Sequence, residues 1–354
     1  MDLVSWTERL GEGPVAALFG LLTGLVFGIA AQRSAFCLRA AAVEFARGKL
    51  GSRMAIWLLT FSTAMVWVQL AQMAGLFRSD DARMMAVAGS FSGAIIGGLM
   101  FGFGMVMSRG CPGRLLVLAS TGNLRSVMSG LLFAVVAQMS LHGLLSPSRD
   151  WLARLWMTPD GTNIDMLRWA GLPRETGLVI GVGFAIAALV LARRAQLTPR
   201  VLIFASGVGF SVALGWVLTW NLAQVAFDPV SVSSVTFSGP SANTLMFFLE
   251  WGQKLGFDVG LVPGVVIGAF LAAFVGRELA FQGFDSMQSM RRSMIGAALM
   301  GFGAMLAGGC SIGAGVTGGS IFVITAWVAL VCFFLGAIVA DIVLDQRGAR
   351  EGAH

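Results

Sequence analysis

Four cysteines, Cys37, Cys111, Cys310 and Cys332, are the residues of this 354-residue chain with chemistry to offer, and their spacing decides what kind. They stand too far apart for any CxxC unit, and with only His142 and His354 as histidines no zinc-ligand spacing can be assembled. No metal and no cofactor is expected. An ordinary thiol, with a pKa of about 8.5, is mostly protonated at neutral pH. A neutral thiol can donate a weak hydrogen bond to a passing anion without repelling it, whereas an enzyme needs the thiolate as nucleophile. No histidine or carboxylate flanks Cys111 or Cys310 in the sequence to serve as base, which favours passage over catalysis.

Two of the thiols end a repeated pattern. Ile96, Gly97, Gly102, Phe103, Gly104, Gly110 and Cys111 recur at a constant offset of 199 as Ile295, Gly296, Gly301, Phe302, Gly303, Gly309 and Cys310. Each copy reads as an uncharged helix that Gly110 or Gly309 lets break at the thiol. The stretches that follow, Pro112–Asn123 and Ser311–Ser320, are glycine-rich. At ~1.5 Å per residue, roughly ten residues span half a bilayer, so both are expected to be re-entrant half-helices bordering a cavity. The N-terminus of such a half-helix favours an anion. Cys37 sits just past the first apolar run, between Arg33 and Arg39, as Cys111 sits between Arg109 and Arg114. These arginines read either as the positive-inside signal or as a cationic funnel towards the thiols, partly neutralised by Glu44. Cys332, in the smooth run Val328–Phe333, reads as a small apolar filler.

The elements that must position these residues are membrane helices. Only 12% of residues are charged and 56% are hydrophobic, against about 25% charged in soluble domains. Ser293–Ala340 runs 48 residues without a charge, far beyond the ~20 needed for one crossing. The fold class is therefore an all-α polytopic membrane protein with about nine transmembrane helices. The crossings are placed at Pro14–Ala31, Met54–Phe77, within Met84–Ser108, at Ser126–Ser146, Thr176–Ala192, Val201–Phe227, Val259–Gly276, Ser293–Gly308 and Ile321–Ala340. With the N-terminus outside, inner segments carry 16 of the 24 basic residues, so N-out, C-in is the better orientation. That distribution also explains the net charge of +6 without invoking nucleic acid. Asp2, Glu8, Arg9 and Glu12 give no positive n-region for a cleavable signal peptide.

This alternation sends the helix before Cys111 inward and the helix before Cys310 outward, a pseudo-two-fold inverted repeat of the kind found in secondary transporters. The whole chain, 1–354, reads as one membrane transport domain: an N-terminal repeat at about 14–146, a linker at 147–175 and a C-terminal repeat at about 176–343. A weaker echo, Gly24 and Arg33 with Gly268 and Arg277 at offset 244, joins two helices of the same direction. It conflicts with the inversion unless it is accidental or Pro240–Gly256 hides a further crossing. The linker, with Trp151, Leu152, Leu155 and Trp156, is expected to lie as an amphipathic helix on the lipid surface. Trp57, Trp151, Trp156, Trp220 and Trp251 are placed at membrane edges. Gln69, Gln72, Gln138, His142 and Asn221 are expected to pair between helices, and Asp341 to snorkel to the interface.

Arg33-Ser34-Ala35-Phe36-Cys37, Gly102-Phe103-Gly104 with Gly110-Cys111-Pro112-Gly113, and Gly301-Phe302-Gly303 with Gly309-Cys310-Ser311-Ile312-Gly313 together resemble the YeeE/YedE sulfur-transport family over nearly the whole chain. Its members are bacterial inner-membrane thiosulfate transporters. The resemblance implies an hourglass-like protein with four short half-membrane helices. It also implies that thiosulfate passes Cys37, Cys111 and Cys310 by successive weak S–H hydrogen bonds, and that a small cytoplasmic TusA-type sulfur carrier is a partner. The expected substrate is thiosulfate or a closely related sulfur oxyanion, and some relatives are suspected of carrying selenium or other sulfur species. Two other classes stay open. A membrane-embedded sulfurtransferase would carry a persulfide on one cysteine, and an anchor for a soluble partner would need its loops but not its thiols.

Overall fold

The computed structural model describes residues 3–283 and 286–346; the C-terminal basic residues and His354 counted above lie outside them. A short α1 (Leu3–Leu10) leads into the first crossing, α2 (Glu12–Ser34), after which α3 (Leu38–Ala46) is only nine residues long. The second crossing, α4 (Ser52–Met73), is joined to the third, α6 (Phe91–Met107), through a one-turn α5 (Arg83–Ala86). Next come another nine-residue helix, α7 (Pro112–Ser120), and the fourth crossing, α8 (Leu124–His142). The linker holds α9 (Ser146–Arg154) and α10 (Met166–Trp169), before crossings α11 (Glu175–Arg194) and α12 (Pro199–Val225). A twelve-residue α13 (Ser238–Leu249) precedes α14 (Phe257–Gly276). After α15 (Met287–Leu306) comes an eight-residue π-helix, Ser311–Gly318, and then α16 (Ile324–Ala340). Among the described residues nine helices are long and apolar enough to cross a membrane. Most sequence boundaries hold to within four residues because each unpaired charge is costly in hydrocarbon, but α15 begins six residues before Ser293 and carries Arg291 and Arg292 in its first turns.

Glycine stripes set the helix contacts. A Cβ on Gly20, Gly24 or Gly28 of α2 would overlap the carbonyls of Phe257, Leu261 or Val265 on α14. Gly260, Gly264 and Gly268 meet Ala17, Leu21 and Leu25 in return. Residue numbers rise together along this contact, so α2 and α14 run parallel. The echo at offset 244 falls on these two helices. It reflects two parallel helices that each need a bare face, and the Pro240–Gly256 region adds no crossing because α13 is too short to span. By contrast, α6 and α15 cross antiparallel, Gly97 against Gly303 and Gly104 against Gly296, each Cβ falling 2.5–2.7 Å from the opposing carbonyl.

Between α12 and α13 the chain returns into the bundle without secondary structure. Hydroxyls tie it to its neighbours: Thr219 donates to Ser233 O (2.7 Å) and Thr317 to Val235 O (2.6 Å), while its own Ser234 donates to Val212 O of α12 (2.6 Å). Irregular backbone at that depth requires such partners.

Three expectations are corrected. The linker is not one helix: α9 is exposed, with Trp151 66% accessible, and only the single α-helical turn of α10 follows it. Its turn-forming continuation folds back, where Trp156 O accepts from Phe91 N–H (2.8 Å) and Met166 N–H donates to Phe322 O (2.9 Å). Trp57 is no belt residue; it is buried and stacks on Phe61 at 5.3 Å. Asp341 does not snorkel. It is wholly buried because Arg47 reaches it with Nη2 at 2.8 Å and Nε at 3.1 Å, and Gln346 adds a third donor at 2.9 Å. The same bidentate contact raises the Arg47 pKa above its already high ordinary value. Arg47→Ala is expected to destabilise the protein by about 2–3 kcal/mol, reduced from the fully buried case because Arg47 is half exposed. Arg47→Ala/Asp341→Ala should regain part of that loss, read as melting temperature in detergent; a double variant no better than the single would refute the pairing as its cause.

Candidate functional site

One kind of helix stop, common in this bundle, stands directly before three of the cysteines. Helix α2 stops where Phe36 N–H bonds back to Ala31 O (3.3 Å), α6 where Gly110 N–H bonds to Met105 O (3.1 Å), and α15 where Gly309 N–H bonds to Ala304 O (2.9 Å). Each is the wide closing bond of a Schellman stop, with a left-handed residue just before the donor: Ala35 (φ 50°), Arg109 (φ 59°) and Gly308 (φ 76°). The next residue after each donor is Cys37, Cys111 or Cys310. Each cysteine is the N-cap of the short helix that follows, α3, α7 or the π-helix. The left-handed turn thus falls one residue before Gly110 and Gly309. Gly309 is required for a different reason, since a Cβ there would sit 2.6 Å from Ala314 N.

These helix starts converge in mid-bundle. A Cβ on Gly113, in the first turn of α7, would meet Ile312 Cδ1 at 2.7 Å and the Phe237 ring at 3.0 Å. The Phe237 ring lies 5.0 Å from that of Phe27, halfway along α2. Cys310 Sγ accepts from Gly313 N–H and from Phe237 N–H, both at 3.4 Å, and Thr236 Oγ1 is 4.0 Å away. Cys111 stands within electrostatic reach of both Cys37 and Cys310, with the Arg114 N–H and the Ser311 hydroxyl beside its sulfur. Four short helices therefore point their N-terminal, partially positive ends at one place, three of them bearing thiols and the fourth, α13, bearing Thr236 and Ser238 at its start. Cys111 and Cys310 are fully buried and Cys37 is partly exposed.

The arginines are distributed differently. Arg33 pairs with Glu278 (3.8 Å) and Arg39 with Asp345 (3.9 Å). Arg109 supplies the left-handed turn, and Arg114 carries a buried Nη1 without a hydrogen-bond partner among the described residues. Glu44 caps α4, accepting from Met54 N–H at 2.8 Å. Cys332 packs where Gly98 leaves room, its Cβ 2.6 Å from where a Gly98 Cβ would be. Gln69 pairs between helices, donating to Ser320 O at 2.9 Å, and Asn221 donates to Val217 O of its own helix at 2.7 Å and, at 3.5 Å, to Leu76 O just beyond α4. The Thr236–Ser238 segment and Ser311 were not singled out from sequence. The sole trace of the first is Phe36-Cys37 against Phe237-Ser238 at offset 201, too short to stand above chance.

A bundle of nine apolar helices among the described residues, with short-helix starts and thiols at its centre, defines a polytopic membrane protein. Residues 33–339 match the family described as sulphur transport, and the chain belongs to that family. It is 28% identical over 365 aligned positions to the thiosulfate transporter TsuA of Escherichia coli (strain K12), covering 94% of this chain and 96% of that protein. It is 26% identical over 329 positions to the thiosulfate transporter TsuA of Spirochaeta thermophila, covering 90% and 96%.

Proposed function

We propose that this protein carries thiosulfate, or a closely related small sulfur oxyanion, across the bacterial inner membrane, with its N-terminus outside. The observation that carries the reading is the convergence of four short-helix N-termini on Cys37, Cys111 and Cys310 in a member of a sulphur-transport family. Helix N-termini hold negative charge by backbone donors. Protonated thiols add soft donors that suit the terminal sulfur of thiosulfate, and each hands the ion to the next. The antiparallel crossing of α6 and α15 supports an inverted repeat, with Cys111 and Cys310 as the matching buried thiols of its two halves, which meet at an hourglass neck. Both relatives are named as transporters, and the transport reading needs no general base.

The test is uptake of radiolabelled thiosulfate into liposomes containing the purified protein, followed by intact-mass analysis. Saturable uptake with no covalent adduct is expected. No uptake above empty liposomes, or a persulfide mass on Cys37, Cys111 or Cys310, would overturn the reading, the latter in favour of a sulfurtransferase.

A further inference from the structure

Ser311 directly follows Cys310, opens the π-helix and is 1% exposed. Its hydroxyl makes no hydrogen bond of ordinary geometry with any described residue. That is unusual in this protein, where most other buried hydroxyls bond to a carbonyl: Ser108 to Gly104 O (2.8 Å), Ser320 to Thr317 O (2.7 Å), Thr317 to Val235 O (2.6 Å). A buried hydroxyl without a partner is destabilising, so it is retained where something else supplies the partner. The sulfur beside it belongs to Cys111, while its neighbour Cys310 already accepts two backbone N–H groups. Apart from that weakly accepting sulfur the hydroxyl has no partner among the described residues, so it is a donor that a stronger acceptor can claim at the junction between the two buried thiols.

We propose that Ser311 is a substrate-binding residue that donates to a sulfonyl oxygen of the ion as it moves between Cys310 and Cys111. A hydroxyl is a harder donor than a thiol and matches the oxygens of the anion, while the thiols match its terminal sulfur. Ser311 thereby fixes which end of the ion leads. This inference rests on the transport reading, and the experiment separates the two.

Ser311→Ala, Ser311→Thr and the unaltered protein are compared in liposomes for thiosulfate uptake and in detergent for melting temperature with and without thiosulfate. Ser311→Ala is expected to raise the KM for thiosulfate about tenfold, the loss of one hydrogen bond to a charged group. Ser311→Thr, which keeps the donor, should stay closer to the unaltered protein. Without ligand, Ser311→Ala should melt no lower than the unaltered protein, since it removes an unsatisfied group, but its thiosulfate-induced rise in melting temperature should shrink. A KM within twofold of the unaltered protein, or a ligand-free melting temperature several degrees lower, overturns the role of Ser311 while leaving transport intact. Failure of the unaltered protein to take up thiosulfate would instead sink the transport reading, and this inference with it.

Discussion

Cys111→Ala and Cys310→Ala are each expected to cut thiosulfate uptake at least tenfold without lowering the amount of folded protein. Both side chains are fully buried where the short helices meet. On the proposed transport reading, a methyl group there leaves the anion with one donor fewer. An unmet partner for a charged group costs about 1.5–3 kcal/mol, which is one to two powers of ten in occupancy. Serine at either position keeps a donor and should retain part of the uptake, an outcome that a persulfide mechanism forbids. Cys332→Ala serves as the control, because that thiol only fills space against Gly98, and its uptake should stay within twofold. Full uptake by both Cys111→Ala and Cys310→Ala would remove the relay.

Gly24→Val is expected to prevent assembly of the bundle. The new Cβ would overlap the Leu261 carbonyl and lie 2.9 Å from Val265 N, both backbone atoms of α14 that no rotamer change can move aside. Overpacking against side chains costs about 1–3 kcal/mol, and against backbone the two helices must separate along their length. In lipid no hydrophobic gain draws them back, since association there depends on close packing. Protein yield and a single gel-filtration peak in detergent report the outcome. Gly130, with nothing within 4 Å of its would-be Cβ, is the matched control and should accept alanine. A Gly24→Val protein that elutes like the unaltered one would show that the stripe is dispensable.

The crossings were legible because hydrocarbon excludes unpaired charge, so Arg33, Arg109 and Arg193 each announce an end. The helix breaks at Cys111 and Cys310 were legible because the same stop is written twice in the same letters. The stop before Cys37 was legible only as the end of a crossing, because it lies outside the repeated pattern and Phe36 stands where Gly110 and Gly309 stand in the other two. Thr236 and Phe237 reach Cys310 across more than seventy residues of chain, through backbone N–H and a hydroxyl whose types carry no signature. The pairing of Arg33 with Glu278 was likewise hidden, because charge counting records which face a cation lies on but not which acid answers it. Parallel packing of α2 and α14 left a trace in the echo at offset 244, yet its meaning needed the contact itself.

The four helix starts at the centre have a consequence for how the protein meets its surroundings. Arginines at the mouths act through solvent, and salt at physiological strength damps such attraction within ~8 Å. The amide dipoles at these helix starts act over about one helical turn and, around Cys111 and Cys310, within buried protein. On the proposed transport reading, ionic strength therefore changes how often an anion arrives more than how firmly the helix starts hold it.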